Sequence, residues 1–190
     1  MKNILRQRGQ GMLEMIFSIG ILIMAVSTIL ALSFSNAAGQ KESEYQVIAN
    51  NLAREGVEIV RNQRDSNWLA GRAWDEGLLA GSYIADFNSA SNLWQLISLS
   101  GNVSNIIYLS NDGVYSHNHT GQVTNYKRWL EIRSICLNLT VTNAGQESIK
   151  TACTANSEKK IGLRVRSNVS WVEKNRNRLV TLEDLLYDWK

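Results

Sequence analysis

The sequence predicts an α+β protein: one long N-terminal α-helix whose first half is of membrane length and whose second half packs on a C-terminal antiparallel β-sheet. Three observations carry this. Met15 to Phe34, MIFSIGILIMAVSTILALSF, runs twenty residues without a charge. After it, apolar or small residues recur at helical 3-4 spacing as far as Val60. Beyond about Asn67 the pattern changes to short alternating runs separated by turn residues.

The first element is a basic leader, residues 1–9. The chain holds 20 Lys and Arg against 17 Asp and Glu, a formal charge of +3, and Lys2, Arg6 and Arg8 lie in this leader with no acid beside them. Without them the count is 20 − 3 = 17 bases against 17 acids, so the remainder is neutral. No chain-wide electrostatic argument for nucleic acid survives, and none is expected as a partner.

The second element, residues 10–38, contains the apolar run, which at ~1.5 Å per residue matches a hydrocarbon core of about 30 Å. Bases precede it, while Lys41, Glu42 and Glu44 follow it. The short basic side is therefore expected in the cytoplasm and everything from about Gln40 onward outside. Two alternatives remain open. A cleaved secretory signal is supported by Ser35-Asn36-Ala37, although its apolar core is typically about 7–15 residues. A plain uncleaved anchor fits the length but gives Glu14, at the entrance of the run, no task.

The third element, residues 39–66, continues the same helix. Tyr45, Ile48, Ala49, Leu52, Ala53, Gly56, Ile59 and Val60 form one face, and Glu44, Asn51, Arg54, Glu55, Glu58 and Arg61 the other. The chain has no proline, so nothing forces a break between Gln10 and about Arg64. Gly20, Gly39 and Gly56 each weaken the helix by ~1 kcal/mol relative to alanine.

Residues 67–190 read as an exported β-rich domain without helix-length periodicity until the last residues. Ser110-Asn111-Asp112-Gly113 between IIYL and VYSH predicts a hairpin turn. Leu163, Val165, Val169 and Trp171 alternate as in a half-buried strand. Leu130 and Ile132 are in one phase and Ile135, Leu137, Leu139 and Val141 in the other, which predicts a bulge near Ser134. Residues 67–105, rich in Gly, Ser, Asn and Ala, read as a connection with a short helix around Asn92 to Leu96.

Cys136 and Cys153 are the two cysteines, and both fall in the part expected outside, where a bridge is permitted. Their midpoint lies in the turn-like Asn143-Ala144-Gly145-Gln146. A simple hairpin there places them opposite one another, within the ~5.5 Å Cα reach of a disulfide. Two buried free thiols are the alternative.

Other chemistry is weaker. His117-x-His119 reads as solvated hairpin residues rather than a metal pair, and Asn111 and Asp112 as turn residues rather than calcium ligands. Arg64-Trp68 and Arg72-Trp74 have the form of a stacking platform for single strands, but tryptophans in a neutral domain fill gaps. Asn102, Asn118, Asn138 and Asn168 begin N-x-Ser/Thr triplets in an Asn-rich chain, which carries little information. No Ser/His/Asp, paired-acid or phosphate-loop arrangement stands out, so no catalytic residue, metal or cofactor is expected.

RGQGMLEMIFSIGIL, residues 8–22, resembles the N-terminus of a type IV prepilin or type II secretion pseudopilin. IANNLAREGVEIVRNQRDSNWL and the closing VSWVEKNRNRLVTLEDLLYDW are similar to minor pilins of the kind described as type IV pilus modification proteins. The resemblance implies a pilin-like fold and cleavage after Gly9 by a prepilin peptidase. Gln10 is then the first mature residue, N-methylated or cyclised, and Glu14 the fifth. Glu14 is implied to pair with the new N-terminal amine during assembly. The implied partners are other pilin or pseudopilin subunits, an inner-membrane assembly platform, and membrane lipid before assembly. The implied function is a minor structural subunit of a pilus or pseudopilus, first single-pass in the cytoplasmic membrane and then in an extracellular filament. A filament-tip module for adhesion or DNA uptake is one alternative. A bitopic envelope protein or exported enzyme with a coincidental N-terminus is another.

Overall fold

The computed structural model describes residues 10–88, 93–101, 103–118, 121–140 and 144–189. One helix, α1, spans Gln10–Leu69, sixty residues, and is followed by eight strands among the described residues. The chain divides into two compact units, Met1–Tyr45 and Gln46–Lys190.

In the described part of the first unit α1 is exposed nearly throughout. Three of its hydroxyls bond back to the helix: Ser18 donates to the Glu14 carbonyl, Ser27 to Ile23 and Thr28 to Met24, at 2.6–2.8 Å. Back-bonding of this kind lets these three hydroxyls sit along the apolar run without needing water.

In the second unit the amphipathic face is as read: Ala49, Leu52, Ala53, Gly56, Ile59 and Val60 are buried, and Val57 joins them. The helix runs five residues past Arg64 and ends where Gly71 takes φ +68°, a conformation that costs glycine little. Asn67, fully buried, then ties down the following loop, donating from Nδ2 to the carbonyls of Trp74 at 3.2 Å and Glu76 at 2.8 Å.

The strands are β1 (Gly81–Asn88), β2 (Leu93–Ser98), β3 (Ile106–Leu109), β4 (Tyr115–Ser116), β5 (Gln122–Asn138), β6 (Glu147–Lys150), β7 (Glu158–Glu173) and β8 (Arg176–Tyr187), all antiparallel in one sheet. β5 is the axis. One of its edges pairs with β7, which pairs with β8; along the other edge β3, β1 and β6 follow in turn. The core lies between α1 and the sheet: Val57, Ile59 and Val60 meet Leu130 and Ile132 of β5, Leu163 and Val165 of β7, and Leu186 of β8.

Gly56 marks the closest crossing of helix and sheet. A Cβ there would stand 2.4 Å from Ser167 Oγ and 2.7 Å from Leu130 Cδ2, both fully buried, so the residue that weakens the isolated helix is what lets it seat. The hairpin at 110–113 forms as expected: Ser110 N–H donates to the Val114 carbonyl at 2.9 Å, Gly113 N–H to Ser110 at 3.0 Å, and Gly113 adopts φ +78°. The expected irregularity falls between Ile135 and Cys136, beside Ser134, but the extra residue is Ile161 of the partner strand β7; Ile135 and Cys136 are both buried.

Four expectations are corrected. The stretch 67–105 is not a connection with a short helix: it contains β1 and β2, and Leu93–Ser98 is a strand held by pairing with β1 from Tyr83↔Ser98 to Asn88↔Leu93, while Asn92 lies outside the described residues. The final residues form β8, not a helix. Their apolar positions mimic helical spacing because Asp184, opposite the buried Val165, faces inward to accept an ion pair from Arg61 at 2.6 Å, interrupting the strand's alternation.

The disulfide joins Cys136 to Cys153 with Cα atoms 5.4 Å apart, but not across a simple hairpin. Ser148 lies opposite Cys136, and Cys153 reaches it from the bend after β6. The turn is set by Asn138, whose N–H donates to Gln146, whose carbonyl accepts from Gly145, and whose Oδ1 holds Thr140. His117 is buried rather than solvated, and His119 lies outside the described residues.

Candidate functional site

The sequence points to the start of α1. Gly9 lies outside the described residues; Gln10 is the first residue of the helix. Glu14 is exposed one turn further on, so positions 10 and 14 share a face about 6 Å apart along the axis. The apolar side chains on either side of it make no core: Met12, Phe17, Met24 and Phe34 are each 70% or more exposed. It is the one helix among the described residues long and apolar enough to cross a membrane, and none of that window is buried. A patch of this kind on a folded chain calls for lipid or other protein around it.

A second constellation was not anticipated. Arg128 of β5 sits on the core side of the sheet, in phase with Leu130 and Ile132, with 1% exposure. Its Nη1 donates to Glu55 Oε2 of α1 at 2.6 Å, and its Nη2 to the Ala85 carbonyl of β1 at 3.0 Å. β1 leaves β5 after Tyr83, and Arg128 supplies the donor where the ladder has stopped. Its backbone N–H donates to Asn105, just before β3. The guanidinium thus ties β5 to α1 and β1, and the backbone of the same residue holds a fourth segment. The signal that could have found it is phase: Arg128 is two residues before Leu130.

His117 completes the cluster. Its backbone N–H donates to Asp86 Oδ1 at 3.2 Å, and its Nδ1 lies 3.1 Å from the Ile106 carbonyl, which assigns the proton to Nδ1. Nε2 is buried without a partner. Burial, and then the Arg128 cation, lower its pKa from 6.5 to about 4. The folded state therefore resists a proton that the unfolded chain accepts. The resulting stability is complete above about pH 6.5 and is lost as the pH falls toward 4. Denaturation midpoints at pH 7 and 4.5 should differ more for the wild type than for His117→Asn; equal differences would show that His117 contributes nothing to the slope.

A cavity of about 380 Å³ lies between α1 and β2, lined by Glu55, Glu58, Arg61, Asp65 and Trp94 among others. Its acids are engaged: Glu55 with Arg128, Glu58 with Arg61 and Asp65 with Arg64. Arg64 also lies over the Trp68 ring, 4.6 Å from its centroid, so that arginine–tryptophan pair is spent within the chain. Arg72 pairs with Glu76 at 3.5 Å instead of stacking. Among the described residues no three His, Cys, Asp or Glu gather as a metal site.

No family model matches the chain, and no curated protein or solved structure matches it.

Proposed function

We propose that the chain is a minor structural subunit of a type IV pilus or type II secretion-like pseudopilus. On this reading it is held in the cytoplasmic membrane by α1, cut after Gly9, and assembled through the same helix. The observation that supports this best is the continuity of α1. A single uninterrupted helix carries an exposed apolar stretch in its first half and, in its second, the buried face on which the sheet is built. A signal peptide is removed from the domain it delivers and has no reason to share a helix with its core. A subunit that must leave lipid and pack helix against helix in a fibre needs its apolar segment to stay covalently part of the domain after processing, and α1, which contains no proline, carries both.

Processing provides the test. Gly9→Val should leave a precursor in the membrane that retains Lys2, Arg6 and Arg8, whereas the wild-type mature chain should begin at Gln10, free, methylated or cyclised. Mass spectrometry of the two N-termini reads both. A mature start at Ala38 or Gly39 would establish the secretory-signal alternative instead.

A further inference from the structure

We propose that Arg133 of β5 and Arg164 of β7 form a binding site for a phosphate-type oxyanion on the face of the sheet opposite α1. Strand alternation puts them there. Leu130, Ile132, Leu163 and Val165 are fully buried on the helix side, so positions 133 and 164 project the other way. The two arginines are direct cross-strand partners, an arrangement in which like charges repel unless a counter-charge lies between them.

No described acid on this face forms an ion pair with either arginine, Glu131 in the adjacent row included. Arg166, two residues along β7, faces Glu131 on one side and Glu183 on the other, and its ion pair is with Glu183. Neither Arg133 nor Arg164 has an ion-pair partner among the described residues. Arg133 Nη1 instead donates to Thr151 Oγ1 at 2.6 Å. Arg164 has its Nε buried and unpartnered.

The donor set selects the ligand. A planar carboxylate is satisfied by one guanidinium fork. Two guanidinium groups and a hydroxyl suit a tetrahedral group with three or more acceptor oxygens. Thr151 Oγ1 accepts from Arg133, which leaves its own proton to donate. The scaffold is rigid: Thr151 lies two residues before Cys153, whose bridge to Cys136 anchors that bend to β5, the strand that carries Arg133.

The experiment is a titration of the full chain in detergent micelles with inorganic phosphate at constant ionic strength, read by calorimetry. Saturable binding is expected, weakened about tenfold or more by Arg133→Gln and by Arg164→Gln. Arg164→Lys should recover only part, because the charge returns without the fork. Lys127→Gln, on the same face three rows away, should leave the affinity unchanged. Thr151→Val provides a milder variant if an arginine substitution disturbs folding, and thermal melts report that. A parallel titration with glycerophosphoglycerol, a soluble lipid-headgroup analogue, separates the sources: tighter binding of the diester assigns a headgroup, and tighter binding of inorganic phosphate a free phosphate or monoester. Absence of saturable binding of either probe, or equal affinities in the wild type and the glutamine variants, would overturn the site.

Discussion

Arg128→Ala should destabilise the domain by about 3–5 kcal/mol, the range expected when one member of a buried, hydrogen-bonded charge pair is removed. The guanidinium is 1% exposed and holds Glu55, the Ala85 carbonyl and, less closely, the Leu52 carbonyl at 3.4 Å. Truncation strands those acceptors and opens a void beneath α1 at the same time. Arg128→Met separates the two effects: it fills the volume and removes the charge, and should cost less than alanine. Glu55→Gln tests the other partner. Glu55 is 36% exposed at its side chain, so water replaces part of the lost interaction and the cost should be smaller than for Arg128→Ala. Arg128→Met should also raise the pKa of His117, because the cation that lowers it is gone, and so flatten the acid limb of the stability curve. Denaturant melts of the three variants at pH 7 and 4.5 read all of this. An Arg128→Ala midpoint within error of the wild type would show that the network carries no stability.

The same cluster shows where sequence pattern suffices and where it does not. The buried face of α1 was legible because 3-4 spacing is a property of one helix, and each of Ala49, Leu52, Ala53 and Val60 obeys it without help from elsewhere. β7 was legible for the same reason at period two. Arg128 was not, since a charged residue at an inward position makes sense only once Glu55, 73 residues earlier, is known to meet it. Asp184 hid β8 in the same way: its partner Arg61 lies 123 residues away, and without that partner an inward aspartate argues against a strand. β2 lacked any local signal, being half exposed and held by its neighbour β1. The pairing of Cys136 with Cys153 was legible from their placement about a turn, but its register was not, because Asn138 sets the turn through its own side chain and backbone rather than through the cysteines.

Glu14→Gln should insert and be cleaved as the wild type is, yet enter filaments slowly or not at all. This expectation rests on the filament reading. Cleavage after Gly9 leaves a cationic amine on Gln10, one helical turn from Glu14 and at the edge of an apolar run whose side chains all lie open. Packing such helices side by side takes the amine out of water, and an unmatched charge in that setting is costly. Glu14 supplies the match, within its own chain or on the preceding subunit, and favours the axial register in which amine and carboxylate meet. Glutamine keeps the size and the helix while removing the charge, so processing and the fold of residues 46–190 stay as they were. The effect reaches a few kcal/mol if the packed site is dry and falls well below that if water remains. The chemistry of Gln10 decides which regime applies. A free or methylated amine keeps its charge and needs the partner, whereas a cyclised glutamine has no charge, and Glu14→Gln should then be mild. Sheared filament content and the mass of the mature N-terminus, measured on the same preparation, separate the two. Normal incorporation of Glu14→Gln beside a free or methylated amine would end the pairing mechanism and leave Glu14 an interfacial charge with no part in assembly.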